Sequence, residues 1–447
     1  MLRIIIKKYF QNNISSQIFL TFLSKFIAFL CMYLTVPLLV KGIDSTRYGI
    51  WLLIFSIIQW MVLFDFGLSN GIRNNITRAR ALANHSETKK YISLAYASYF
   101  FIAIILFFIG ILVIPSIAWY KVFNSPEILE SEIRSAVTLI FFMQAVKFCF
   151  DSITMVLYAF KKPGISNLIS SVSSLLCLGL TFLFIKIGLK SLYFIALASM
   201  LPHIIVLTIA NCFFFSKKFF PLYRPDRRSV EFKMLLSVLK TSWFFFVMQV
   251  VYIIIFSTDS IIISKLYSPQ DVVPYNTSFR YFSIVTIAFS IIVSPYWAEF
   301  AHYYSVNDIS WIRSRMKRLR LIWLFFSGLT LVMVVTANYV YALWVGDSIV
   351  ISTQTSIGMG IFVVLYNWNA LHSNFLNGVS KIKIQYYASL IVGILNIPIC
   401  LLVCRYTNLG PSGVIYGSSL CMLINVMLQP LQYKKIVANT ATGIWNK

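Results

Sequence analysis

Six ionisable residues stand inside stretches that are otherwise apolar: Lys25, Asp65, Lys147, Asp151, Asp259 and Arg280. Side chains of these types offer two kinds of chemistry. Ammonium and guanidinium groups hold anions through charge-assisted hydrogen bonds, and carboxylates take up and release protons. Lys25, Arg280 and Lys147 are therefore candidates for binding an anionic substrate. Asp259, Asp151 and Asp65 are candidates for gating or proton coupling. Each also has a plainer reading. Lys147 and Asp151, four positions apart, share a helix face and form a self-neutralised pair as readily as a working one. Asp65 lies near the end of its stretch, where a helix cap or loop anchor suffices. Asp259 and Arg280 share a depth, as a static bridge or a gate would. Lys25 has no partner in its own segment, so a bound anion or a distant carboxylate must answer it. His203 and His372 lie in apolar runs and read as packed or hydrogen-bonded groups rather than catalytic ones.

These residues need a scaffold, and composition specifies which. The chain has 447 residues, 59% hydrophobic and 12% charged, with mean hydropathy +0.80. A soluble domain is about a quarter charged, so too little polar surface is available to meet water. Aromatics at 17% suit a protein facing lipid and its interfaces. The net charge of +24 does not point to nucleic acid, because the cations lie in short loops between apolar runs.

A membrane-crossing helix needs about 20 mostly apolar residues. Twelve runs qualify: 14–40, 50–70, 91–114, 135–160, 165–186, 191–212, 239–263, 275–298, 319–343, 351–375, 385–404 and 411–433. The expected fold is all-α and polytopic, with twelve transmembrane helices in two six-helix bundles around a central cavity. With these spans, 27 cations fall on one side, 8 on the other and 3 within helices. One missed span would invert every later loop, so the asymmetry places both termini in the cytoplasm. Arg3, Lys7 and Lys8 precede an apolar stretch too long for a signal peptide and lacking a cleavage site, which reads as a retained first helix. The Pro-rich basic segment Pro221–Lys233 is the longest soluble one, dividing the chain into bundles 1–222 and 223–447. A faint repeat supports two halves: Tyr48 recurs as Tyr275, and the basic turn at Lys161 as that at Lys381. Charged helices must face something other than lipid, so the cavity is expected among spans one, two, four, seven and eight. Pro37, Pro115, Pro202, Pro295 and Pro398 lie in or at the ends of spans and are expected to kink or cap them.

Several chemistries are absent. The seven cysteines lie in apolar runs without a CxxC pair or metal-ligand spacing to histidine. No GxxxxGK[ST] phosphate loop, HExxH or GxSxG occurs, so neither a cofactor nor ATP hydrolysis by this chain is expected. Asp65-Phe66-Gly67 spells a kinase metal-binding triplet, but its companion motifs are missing.

The stretch YGIWLLIFSIIQWMVLFDFGLSNGIRNNITRARA (Tyr48–Ala81) resembles the second-helix region of Wzx-type O-antigen and polysaccharide flippases. TDSIIISKLYSPQDVVPYNTSFRYFS (Thr258–Ser283) resembles their seventh-to-eighth helix region. Helix count and basic turns extend the likeness along the whole chain. The resemblance implies the two-bundle fold of the multidrug/oligosaccharidyl-lipid/polysaccharide exporter superfamily and a cationic lumen, which Lys25 and Arg280 match; Lys147 has no counterpart.

The function so implied is a flippase, not an enzyme, in the bacterial inner membrane. It moves undecaprenyl-pyrophosphate-linked O-antigen repeat units to the periplasmic leaflet by alternating access. Expected partners are the lipid-linked oligosaccharide, membrane lipids, H+ or another coupling ion, and a glycan polymerase with its chain-length regulator; nucleic acid is not among them. Two rivals remain. A drug-ion antiporter of the same superfamily would favour a carboxylate-dominated cavity, whereas three cations and three carboxylates balance here. A membrane glycan polymerase or O-acyltransferase fits less well, because the longest outward loop (Pro115–Arg134) is short for such chemistry.

Overall fold

The computed structural model describes residues 14–126, 129–216, 219–346 and 349–446. Arg3, Lys7, Lys8, Lys217, Lys218 and Lys447, counted above among the cytoplasmic cations, lie outside the described residues. Everything regular in the described residues is helical, as backbone groups in hydrocarbon require. The first half holds α1 (Ile14–Gly42), α2 (Ser45–Met61), α3 (Leu68–Ala81), α4 (His85–Val113), α5 (Trp119–Phe123), α6 (Glu130–Ala159), α7 (Pro163–Lys186) and α8 (Leu192–Phe214). After the linker come α9 (Phe232–Leu266), α10 (Val272–Val293), α11 (Tyr296–Ser305), α12 (Ile309–Val345), α13 (Thr353–Gly378), α14 (Lys383–Tyr406) and α15 (Gly413–Val437). Among the described residues, setting aside the shorter α3, α5 and α11, twelve helices overlap the twelve expected spans. Ten are long and apolar enough to cross a membrane by length and composition; α9 and α13 are the other two. The protein is a multi-pass helical membrane protein.

Several boundaries differ from expectation, two of them for clear local reasons. The second span was expected to reach residue 70, but α2 passes into a 3-10 turn that ends at Asp65. Phe66 and Gly67 both take left-handed conformations (φ 48° and 70°), which end the helix and start the polar α3 in a new direction. The basic run Arg313–Arg320, expected in a loop, lies on the first turns of α12, whose N-cap is Asp308. There Arg313 donates to the carbonyl of Val437 at the end of α15 (3.0 Å), satisfying one of that helix's unpaired acceptors. Pro37, Pro202 and Pro398 lie inside helices, as does Pro430. Pro115 is in a 3-10 turn after α4, and Pro295 caps α11.

The contacts divide the chain into two compact units, Met1–Gln249 and Val250–Lys447. This division falls inside α9 rather than within the linker, because the linker and the first turns of α9 pack on the first unit. His85 of α4 meets the Tyr223 hydroxyl at 2.6 Å, Lys89 and Lys90 pair with Asp226 (3.4 Å) and Glu231 (2.6 Å), and Ser93 accepts from the Asp226 N–H (2.9 Å). Beneath the linker, Phe160 packs on Phe220 with centroids 4.5 Å apart, and Arg80 lies 3.8 Å above the Phe160 ring. At the opposite ends of the helices, Glu132 of α6 joins three elements. It takes both Nε and Nη2 of Arg47 on α2 (3.1 and 3.0 Å) and the N–H of Leu192 starting α8 (2.7 Å).

In the second unit α14 and α15 pack closely, and Gly417 is the reason. A Cβ there would stand 2.7 Å from the Cα of Cys400, so only glycine permits this approach. The repeat inferred from sequence has structural counterparts. Tyr48 and Tyr275 are each the fourth residue of a helix, and both are buried. The basic turns also correspond, but the left-handed residues are Lys161 and Ser380, one position out of register with matching Lys161 to Lys381.

Candidate functional site

Polar side chains converge separately in each unit. In the first, Asp65 is buried at the α2–α3 break. Its carboxylate accepts from the Ser69 N–H (3.1 Å), capping the first turn of α3, and from the Ser69 hydroxyl (2.8 Å). Tyr99 of α4 donates a third, short hydrogen bond and stacks on Phe148 of α6. Asp65 thus makes the capping contact open to it from sequence, and is also joined to a buried tyrosine.

Asp151 on α6 is half-buried and accepts from the Thr154 hydroxyl at 3.2 Å. Its charge reaches Asp65, Tyr96, Tyr99 and His203. One turn earlier, half-buried Lys147 is within electrostatic reach of Cys177 and His203. Lys147 and Asp151 are not ion-paired among the described residues. Tyr96 donates to Asn211 of α8 at 2.5 Å, and the Asn211 amide returns to the Phe150 carbonyl (2.8 Å). The last turn of α2 and helices α4, α6 and α8 therefore gather carboxylates, tyrosines, an amide and a lysine inside an apolar bundle.

Lys25 stands apart from this group. Its helix packs mainly along α7, and Lys25 is exposed on the first unit. Phe19, Phe22, Phe26, Leu30 and Leu34 form an exposed apolar stripe on the same helix. At about 100° per residue, Lys25 lies roughly a third of a turn from the centre of that stripe. It makes no hydrogen bond or ion pair among the described residues.

In the second unit Asp259 is the centre. It is 6% exposed on α9 and accepts from the Tyr275 hydroxyl of α10 (2.5 Å) and the Ser418 hydroxyl of α15 (3.3 Å). Ser418 in turn accepts from the Asn396 amide (3.0 Å), and Cys400 lies 3.5 Å away. Among the described residues, α10 and α15 reach the carboxylate on α9 with neutral donors, and α14 joins them through Ser418. Asp259 and Arg280 do not pair among the described residues. Arg280 is half-buried, five positions beyond Tyr275, which rotates it away from the face that reaches Asp259.

Sequence reasoning found the two buried carboxylates but not the groups that hold them. Tyr275 was visible only as a repeat marker, and Tyr99, Ser69, Ser418 and Asn396 were missed. The usable signal was Asn396 and Cys400 four positions apart, a polar face on an otherwise apolar helix.

Long apolar helices with carboxylates buried among neutral donors thus make up both units. Residues 14–300 match the family described as polysaccharide biosynthesis protein, and this chain belongs to that family. Similar proteins include ones named O-antigen transporter from Salmonella typhimurium (24% identical, 62% of this chain and 63% of the relative) and O-antigen export protein from Yersinia pseudotuberculosis (24%, 61% and 62%). The chain thus spans a little under two thirds of the length of these two. A Salmonella typhi relative named O-antigen transporter is 21% identical, over 81% of this chain and 83% of the relative. The fold is similar to those of solved transporter structures. The inward-facing conformation of a multidrug resistance MATE family transporter superposes with TM-score 0.77 at 13% identity, covering 93% of this chain and 96% of that one. A MOP superfamily transporter from Pyrococcus furiosus, described as having a binding pocket of reverse polarity, gives 0.64 at 15% identity over 96% and 97%.

Proposed function

We propose that this chain flips undecaprenyl-pyrophosphate-linked O-antigen repeat units from the cytoplasmic to the periplasmic leaflet of the inner membrane, with both termini cytoplasmic. The observation that carries the reading is the family match over residues 14–300, joined to relatives named for O-antigen transport. Physical need agrees with it. Each unpaired sugar hydroxyl costs roughly 2–7 kcal/mol in hydrocarbon, so an oligosaccharide crosses only along a polar path. Lys25, Arg280 and Lys147 are assigned to the pyrophosphate, and alternating access moves it. Asp259, buried with neutral donors alone, is assigned to the coupling ion, with Asp151 and Asp65 as secondary candidates. A glycan polymerase and its chain-length regulator would receive the product. The test is deletion of the gene followed by assay of lipid-linked repeat units on each leaflet. Units stranded on the inner face, with loss of surface glycan, are expected; unaffected surface glycan would refute the reading.

A drug-ion antiporter is favoured by one observation, the fold likeness to a multidrug transporter. It predicts that deletion raises sensitivity to cationic drugs and leaves the glycan intact.

A further inference from the structure

A groove of about 1210 Å³ runs between α4 and α6 in the first unit, and Lys25, Lys147 and Arg280 are not among the residues that line it. We propose that it is a binding site for an anionic phospholipid of the bilayer, in the leaflet on the linker side. Its walls are apolar and strongly aromatic, with Phe100, Phe107 and Phe108 of α4 facing Phe142 of α6. Its polar lining gathers toward one end, where Ser93, Asp226 and Arg227 lie with the Tyr96–Asn211 pair.

Length selects the occupant. Along α4 the lining runs from Ser93 to Phe108, ~22 Å at 1.5 Å per residue. One leaflet with its headgroups is ~20–22 Å, half of the full bilayer. The groove therefore matches a single phospholipid from headgroup to chain end. Charge selects the headgroup. Asp226 is engaged by Lys89, whereas Arg227 is exposed on the rim beside Arg228. The polar end is thus net positive, and a basic pocket between helices at the membrane surface attracts anionic lipid. The linker stays in place through the Lys89–Asp226 and Lys90–Glu231 pairs, so the cation is presented on a fixed rim.

Native mass spectrometry of the purified full chain in detergent tests this, with phosphatidylglycerol and phosphatidylethanolamine of matched chains as probes. Phosphatidylglycerol should be retained preferentially, and Arg227→Gln should lower its retention roughly fivefold, the effect of one cation near an anionic surface. Ala103→Trp, which fills the groove, should lower retention of both lipids; Ala97→Phe serves if that variant does not fold. Equal retention of the two lipids, or retention unmoved by Arg227→Gln and the filling variant, would overturn the proposal. So would displacement of phosphatidylglycerol by an equal amount of decaprenyl phosphate, which would assign the groove to a prenyl chain.

Discussion

Tyr275 donates its hydroxyl hydrogen to Asp259 at 2.5 Å, joining α10 to α9 within the buried interior of the second unit. Ser418 supplies the other donor to that carboxylate at 3.3 Å. A buried charge is tolerated only with hydrogen-bond partners, and here these are neutral, so the group is free to change protonation without breaking an ion pair. Asp259→Asn keeps the shape and loses the charge. It should leave protein abundance near normal and abolish surface glycan in a complementation assay. Tyr275→Phe removes one donor and should cost about 1–3 kcal/mol of stability, read as a lower melting temperature in detergent. Full export by Asp259→Asn would remove it from the coupling role.

Asp65 permits a similar separation of roles. Its contact with the Ser69 N–H is a cap, and an asparagine can still accept that hydrogen bond. Asp65→Asn should therefore melt near wild type, while Asp65→Ala should lose ~1 kcal/mol or more, with Tyr99 left unsatisfied as well. If export fails equally in both, the charge matters beyond the cap; if it fails only in alanine, Asp65 is structural.

The twelve helices were legible because each must be apolar for about 20 residues, a signal that survives without tertiary information. The end of α2 was not, because Leu63, Phe64, Phe66 and Leu68 continue the apolar run through a break that depends on two left-handed residues. Asp259 was legible as a charge in an apolar stretch. Ser418 was not, because a serine within an apolar helix is common. The close approach of α14 and α15 at Gly417 sets Ser418 beside Asn396 and Cys400, and its hydroxyl reaches the carboxylate on a third helix, α9. Lys25 too was legible as a charge in an apolar stretch, and the structure places it apart from the polar cluster and off the apolar stripe of its helix.

Lys25→Ala is accordingly expected to abolish export with normal abundance, since truncating an exposed side chain leaves packing intact. Lys25→Arg should restore part of the activity if the group binds an anion. Surface-glycan assay of both variants decides it, and full activity in alanine would remove Lys25 from the site.

Gly417→Ala introduces a methyl group 2.7 Å from the Cys400 Cα, a backbone-linked atom that cannot swing aside. Overpacking of this kind costs about 1–3 kcal/mol and should separate α14 from α15. The Asp259 network lies on the same seam, so export should fall together with melting temperature. An alanine variant melting with wild type would show that the seam has room to adjust.

The linker clamp carries a pH dependence with a defined sign. The Arg228 N–H, followed by Lys89, holds the exposed Asp226 carboxyl below its ordinary range. A depressed carboxylate stabilises the clamp fully above its free value of ~3.9 and loses that contribution as pH falls through the lower folded value. Pepsin cleavage within 219–231 should therefore be slow in wild type and fast in Asp226→Asn just above that free value. As the pH is lowered further, through the depressed folded value, the wild-type rate should rise toward that of the variant. A wild-type segment cut as fast as the variant just above the free value would show that Asp226 does not hold the linker to α4.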